Sequence, residues 1–388
     1  MKHHRWHKFW FWVLRNFAGP FLKLIMGYRC GRKQKLTAPT LILANHNTDV
    51  DPALVALGFR SYMYFVSSEH ALRKENGSNL IRRLFSPIVI NKTKSDAYAA
   101  KEILRRLKSG YNVCLFAEGN RSYNGLTGPI RLSTAKLVKI SGADLVTFRL
   151  EGGYFTRPRW SKSKRKGKMK GSVVNHYSAE QLRAMTDEEI FSAIVRDTYE
   201  DAYKRQEEKP VCYRGKNLAE DIETALYMCP ECKAIGTIHS KGNRFACDCG
   251  LSAGYTKNGY LEAPKGKALA FSTITDWCRW QSEQLREVVD NSGDQPIFRD
   301  EHQKLYTFRP AEGHDLVGEG PMTISRTEFH CAGMTFPLEQ ITRFAIVDQM
   351  TLMFALRDGT GYEVLSDVPR SALKYLEAFL IMRNLEWI

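Results

Sequence analysis

The chain has no uninterrupted apolar run of about 20 residues, the length a membrane-crossing helix needs. The apolar stretch near its N-terminus is broken by Arg15, Asn16, Pro20 and Lys23. No cleavage site of small residues follows that stretch, so no signal peptide is expected. Acidic residues are few beside basic ones, 42 against 57, which leaves a formal charge of +15. Such an excess favours polyanions: nucleic acid, an anionic membrane surface or phosphorylated substrates. Charge alone does not choose among them. Nine cysteines in 388 residues do not suggest a disulfide-rich secreted fold, and four of them crowd into one segment. That pattern reads as metal thiolates in a reducing compartment. G-x-S-x-G, Walker and H-E-x-x-H motifs are all absent, which sets aside serine hydrolysis, nucleotide phosphoryl transfer and zinc proteolysis. There is no internal repeat.

What is present begins with "MKHHRWHKFWFWVLRNFAGPFLKLIMGYRCGRKQK", where basic residues flank an aromatic-rich segment. Trp6, Trp10, Trp12 and Tyr28 suit a membrane–water boundary, because an amphipathic ring finds both solvents there. Residues 4 to 28 therefore read as one or two interfacial helices with a bend near Gly19-Pro20. The competing reading packs this segment on the protein's own core.

After residue 38, strand and helix signals alternate. "TLILAN" reads as a buried strand, Pro52 opens a helix that runs to Gly58, and "YMYFVS" and "SPIVINK" read as strands. "SDAYAAKEILRRLKSG" reads as a helix capped by Ser95 and closed by Gly110. "YNVCLFAEG" and "DLVTFRLEGG" are strands on either side of the helix "IRLSTAKLVKISG". This alternation predicts an α/β layer with a mostly parallel sheet and flanking helices. Reactive groups in such sheets gather at the carboxyl ends of strands, and His46 and Glu118 both fall at such ends. "RPRWSKSKRKGKMKG", residues 157 to 171, is a basic run without apolar period. It reads as a solvated loop or as a holder of anionic lipid headgroups. A long helix is expected over 186 to 208, opened by a capping box of Thr186 and Glu189.

The chemistry concentrates in two places. In "NHNTDVD" a histidine leaves a strand with two acids behind it. His46 suits a general base at neutral pH, and Asp51 or Asp49 could fix its tautomer through the other ring nitrogen. The bland alternative has the acids capping a helix. In "FAEGNRS", Glu118 would be a helper charge or hydrogen-bond acceptor. Gly119 would let a substrate approach the backbone, and Arg121 would take a phosphate bidentately.

Together these residues resemble the glycerolipid (1-acylglycerol-3-phosphate) acyltransferase family. "NHNTDVD" is similar to its H-x4-D motif and "FAEGNRS" to its F-P-E-G-T-R-S motif. "SPIVINK" resembles the intervening block that usually ends in arginine, with Lys92 in that place, and "VTFRLEGG" resembles the fourth block. Ala117 stands where proline is usual and Asn120 where threonine is usual. The resemblance implies that His46 takes a proton from an acceptor hydroxyl, which attacks an acyl thioester without an acyl-enzyme. Asp51 would orient His46 and stabilise its imidazolium. Arg121 with Lys92 would hold the acceptor's phosphate, and Glu118 would order that binding site. The donor would be acyl-CoA or acyl carrier protein, and the acceptor a membrane lysophospholipid such as 1-acylglycerol-3-phosphate. An amino-lipid or glycolipid acceptor is the alternative within the same chemistry. The expected location is the cytoplasmic face of the cell membrane, peripheral or monotopic, on an anionic lipid surface.

"CPECKAIGTIHSKGNRFACDCG" places Cys229 and Cys232, then Cys247 and Cys249, as two knuckles. Four thiolates suit a tetrahedral structural zinc and leave no open position for water. His239 is a spare ligand. The segment resembles rubredoxin-like zinc ribbons. From residue 303 onward β signals dominate, Asp358-Gly359 marks a hairpin, and a helix closes the chain. This part resembles a pleckstrin-homology-like domain. The expected division is interfacial helices over 1–30, an acyltransferase domain over 31–210, a zinc ribbon over 225–255, and a helix plus β-rich domain over 265–388. A non-enzymatic nucleic-acid-binding or lipid-binding ribbon protein is the reading from another class. Nucleic acid is not expected as a partner, because the aromatic residues concentrate at the N-terminus, away from the basic run where a stacking platform would need them.

Overall fold

The computed structural model describes residues 4–68, 78–90, 97–309 and 313–385. They form two compact units. Residues up to Pro158 together with Arg165–Arg214 make the first, and Arg159–Lys164 with the chain from Gly215 onward make the second.

The first unit is built on a seven-stranded sheet. Its strands are β1 (Tyr28–Cys30), β2 (Thr40–Ala44), β3 (Met63–Ser68), β4 (Ile88–Ile90), β5 (Asn112–Phe116), β6 (Asp144–Glu151) and β7 (Met169–Tyr177). They lie in the order β1-β7-β6-β2-β5-β3-β4. Every pairing is parallel except β6 with β7. The sheet is therefore mixed, mostly parallel as expected, with one antiparallel pair. The helices are α1 (His4–Met26), α2 (Asp51–Leu57), α3 (Ser78–Phe85), α4 (Ala97–Lys108), α5 (Leu132–Ser141), α6 (Gly153–Thr156), α7 (Ala179–Ala184), α8 (Asp187–Thr198) and α9 (Ala202–Glu208). Ser95, expected to cap α4, lies outside the described residues.

Strand β2 is central, and all five of its residues are buried. Its apolar run is continuous because the sheet is covered on both faces. Leu41 and Leu43 enter one core with Ile103, Leu107, Val138 and Ile190. Ile42 and Ala44 enter the other with Leu54, Val55 and Phe148. In register, Ala44 stands beside Phe116 of β5 on one side and Phe148 of β6 on the other. The chain thus leaves β2, β5 and β6 at one edge of the sheet.

Helix α1 is one continuous helix that runs through Pro20. Phe11 joins the core of Leu41 and Leu43, and Leu22 and Met26 pack against that of Ile42 and Ala44. Gly19 meets Leu57, whose Cδ2 would lie 2.6 Å from an added Cβ. Along the rest of the helix, Phe9, Trp12, Phe17, Phe21 and Leu24 are exposed. One face of α1 thus packs on the core, as the competing reading has it, and another is apolar and exposed. Gly27, at φ +59°, ends the helix where a Cβ would fall 1.9 Å from Gly167 O.

The expected long helix over 186–208 is two helices, α8 and α9, joined by Tyr199–Asp201. The Thr186–Glu189 capping box is formed, and Asp201 caps α9 through Lys204 N. The basic run is a solvated loop only in part: Lys162, Lys164, Lys166, Lys168 and Lys170 are exposed, whereas Arg159, Trp160, Ser161 and Arg165 are buried, and Met169 begins β7.

In the second unit, Arg159 donates to Ile346 O at 2.7 Å and to Asp348 O at 3.0 Å. Trp160 meets the Tyr255 ring edge-on at 5.4 Å. A four-stranded antiparallel sheet is formed by β8 (Ile238–Lys241), β9 (Arg244–Cys247), β10 (Ser252–Tyr255) and β11 (Leu261–Glu262). Helix α10 (Ile274–Asn291) follows. Its Trp277 donates to Met228 O at 2.9 Å and Gln281 to Ala225 O at 2.7 Å. Seven further antiparallel strands, β12 to β18 within Phe298–Ser366, and helix α11 (Leu373–Met382) complete the unit.

Candidate active site and metal cluster

The active-site candidate lies where β2, β5 and β6 end. The loop from Asn45 to Val50 turns sharply because Asp51, the first residue of α2, points back over it. Asp51 is fully buried. Its Oδ2 accepts from Asn47 N at 2.6 Å, Thr48 N at 2.8 Å and His46 Nδ1 at 2.9 Å, and its Oδ1 from the Thr48 hydroxyl at 2.5 Å. Asp51 thereby fixes the proton on Nδ1 and leaves Nε2 with its lone pair. No partner among the described residues occupies Nε2. The imidazole stacks on Phe116 with centroids 4.3 Å apart.

The spacing of His46 to Asp49 and Asp51 left the partner open, and the geometry separates the two acids. Asp49 bonds two arginines instead, Arg121 at 2.5 Å and Arg157 at 2.7 Å. Neither acid supplies the residue before α2: that position is Val50, with no side-chain cap.

Glu118 is buried and ties two loops together. Its Oε1 accepts from His46 N and its Oε2 from Gly128 N, each at 2.6 Å. Burial pushes its carboxyl up to about 8, while the Gly128 and His46 amides pull it back down. Ser122 N donates to His46 O at 3.0 Å, so the histidine's main chain is held on both sides. Gly119 sits at φ +69° in a turn closed by its N–H to Phe116 O at 3.1 Å. A left-handed turn demands glycine there, and an added Cβ would meet nothing within 4 Å. Lys92 lies outside the described residues.

Several residues of this region went unread in the sequence. Asn45 donates to Leu150 O at 2.8 Å and accepts from Leu150 N at 2.7 Å. Thr48 and Gly128 complete the bonds of the two carboxylates. Arg157 was hidden in the basic run; the Pro158 after it and the buried Trp160 were the signals that this run is not uniform.

Residues 28–151 match the Acyltransferase family model. The matched acyltransferase-like segment holds His46, Asp51, Glu118, Gly119 and Arg121 and ends on the last residue of β6. Among solved structures, the chain is similar to the 1-acyl-sn-glycerophosphate (LPA) acyltransferase PlsC from Thermotoga maritima. The identity is 17% and the TM-score 0.40, over 54% of this chain and 98% of that one. No curated protein matches the chain.

In the second unit, Cys229, Cys232, Cys247 and Cys249 bring their sulfurs within 4.8 Å of one another. The pairs Cys229–Cys249 and Cys232–Cys247 lie 3.7 and 3.8 Å apart. Four sulfurs about 2.3 Å from a common centre would stand roughly 3.8 Å apart at tetrahedral angles, so the cluster fits a single metal ion. The C-x-C pair is accommodated by Gly250 at φ +100°, whose N–H returns to Cys247 O at 2.9 Å. His239 is not part of this cluster. It is exposed and faces Asp248 at 3.4 Å.

Proposed function

We propose that this protein is a membrane-associated acyltransferase that moves an acyl group from a thioester to the hydroxyl of a lysophospholipid, 1-acylglycerol-3-phosphate in the first instance. The observation that carries the reading is the His46–Asp51 pair at 2.9 Å, with Nε2 unpartnered among the described residues and a match to the acyltransferase model around it. His46 Nε2 takes the acceptor hydroxyl's proton as the oxygen attacks the thioester carbonyl. Collapse of the tetrahedral intermediate breaks the C–S bond, and the imidazolium returns the proton to the leaving thiolate. Asp51 faces the imidazolium through Nδ1. Such general-base help is typically worth about 10²–10⁴ in rate. Arg121, with Lys92, holds the acceptor's phosphate. Glu118 and Gly119 shape the turn that carries Arg121.

Residues 1–30 serve as the interfacial element in this reading. The exposed aromatic face of α1 and the basic Arg5, Lys8 and Lys23 support it at an anionic surface. No helix among the described residues is long and apolar enough to cross a membrane. Residues 31–210 carry the chemistry at the cytoplasmic face of the membrane. Residues 225–255 form a ribbon around a structural zinc, supported by the sulfur spacings. Residues 265–388 form a helix and a pleckstrin-homology-like domain, supported by seven antiparallel strands and a closing helix. The donor is acyl-CoA or acyl carrier protein.

The test is transfer from radiolabelled acyl-CoA to lysophosphatidate in detergent micelles, comparing intact protein with His46→Ala. Product from the intact protein alone is expected. Equal product from both would remove His46 from catalysis.

A further inference from the structure

Asp49 lies two residues before Asp51 yet does something different. Its two oxygens take one guanidinium each, Oδ1 to Arg121 Nη1 at 2.5 Å and Oδ2 to Arg157 Nη1 at 2.7 Å. One arginine comes from the turn after β5, and the other follows α6 at the end of β6. The guanidiniums therefore converge on one small oxyanion from two directions, beside the loop that holds His46. A carboxylate's two oxygens stand in here for two oxygens of a phosphate, which planar guanidiniums grip in the same way. The Asp49 side chain is 39% exposed and that of Arg157 31%. At that exposure an ion pair adds little to stability, so fold stability is a weak reason for placing Arg157 there.

We propose that Arg157 is a second anion-binding arm of the acceptor site. It grips the phosphate of the acceptor headgroup together with Arg121, while Asp49 keeps the two guanidiniums in register until that phosphate arrives. Calling the ligand an acceptor rests on the acyl-transfer reading above; the convergence of two guanidiniums on one oxyanion does not. Asp49 competes with the ligand it prepares for. Removing its charge therefore tightens phosphate binding, and removing Arg157 weakens it.

The first measurement is calorimetric binding of glycerol 3-phosphate to the full chain, with inorganic phosphate and glycerol as comparison ligands. Arg157→Ala is expected to raise the Kd about tenfold, the scale of one lost charge-assisted hydrogen bond. Arg157→Lys recovers part of the loss, and Asp49→Asn lowers the Kd. A headgroup site prefers glycerol 3-phosphate to inorganic phosphate, and equal affinity would overturn the headgroup assignment. The second measurement is kinetic: Arg157→Ala should raise KM for lysophosphatidate about tenfold with kcat within about twofold. The KM for uncharged monoacylglycerol should not move, whereas a purely structural role would shift both acceptors alike. No glycerol 3-phosphate binding by the intact protein, or an Arg157→Ala Kd within twofold of it, overturns the proposal. Acyl transfer with an unmoved Kd would sink Arg157 alone; a shifted Kd without any acyl transfer would sink the reaction and leave the anion site standing.

Discussion

Replacing Asp51 by asparagine separates support of the loop from help to the base. Among the described residues, three of the four hydrogen bonds to the Asp51 carboxylate fall on Oδ2, from His46 Nδ1, Asn47 N and Thr48 N, and the Thr48 hydroxyl alone reaches Oδ1. An asparagine with its carbonyl in the Oδ2 position accepts the same three. Its NH₂ then faces the Thr48 hydroxyl, which can rotate and accept. Only the charge is lost, so the expected cost in stability is about 1 kcal/mol, the difference between a charged and a neutral acceptor. For a unit of this size that is a fall in Tm of about 2–4 °C. In the proposed reaction the Asp51 charge faces the imidazolium, so kcat should fall by about 10²–10⁴. Asp51→Ala leaves buried donors without an acceptor, each costing about 1–3 kcal/mol, and should unfold at clearly lower temperature. Thiol release from acyl-CoA, followed with a chromogenic disulfide, gives kcat; thermal unfolding by circular dichroism gives the stability. If Asp51→Asn keeps kcat within about threefold of the intact protein, Asp51 only builds the turn and the His46 mechanism is wrong.

Glu118 gives a pH-dependent prediction. Its carboxyl is raised in the folded protein, so the fold binds a proton there that the unfolded chain releases. That contribution is full below about pH 4.5 and is lost as pH rises to about 8. Urea midpoints should therefore fall between pH 5 and 8, and fall less steeply in Glu118→Gln; equal slopes would refute this. Substituting Cys229 and Cys232 by serine should release about one zinc per chain and loosen residues 225–255, and an unchanged metal content by atomic absorption would end the ribbon assignment. Phe17 and Phe21, with exposures of 73% and 66%, point away from the core. The pair Phe17→Glu and Phe21→Glu should weaken co-sedimentation with anionic vesicles about tenfold or more, while binding equal to the intact protein would return α1 to a purely structural role. Point changes are preferable to deleting residues 1–28, because deletion strips Phe11 and Tyr28 from the core.

The central sheet was legible because β2, β5 and β6 are short apolar runs bounded by turn residues. Burial on both faces writes itself into sequence as an unbroken hydrophobic string. The ends of those strands marked His46 and Glu118 for the same reason. Strand β7 was not legible, since Lys166, Lys168 and Lys170 mask its start, and only the alternation of buried Met169 and Gly171 about exposed Lys170 betrays it. The roles of Asp49 and Asp51 could not be told apart by spacing. They depend on which carboxylate sits at the start of α2 and turns back, a matter of backbone direction. The basic run failed as a unit of reading. Arg157 pairs with Asp49 and Arg159 donates to β16 (Ile341–Val347) and the residue after it, fates that composition averages away. The antiparallel β-rich region was legible as strands but not as an order of strands, because pairing is set by contacts far apart in the chain.

Asn45 stands where β2 stops, and its side-chain amide donates to Leu150 O and accepts from Leu150 N, two main-chain groups that a continued parallel β2 would have met through two different residues. For β6 the neighbouring strand continues one residue longer than the main chain does. The sheet therefore closes its ladder with a side chain, and the backbone carrying His46 departs without leaving Leu150 unpaired. Rigidity and curvature, which a strand ordinarily trades against each other, are here assigned to different atoms of one residue. The register of β2 against β6 is consequently held up to the histidine by a side chain, while separate bonds, His46 N to Glu118 and the Asn47 and Thr48 amides to Asp51, set the path of the loop beyond it.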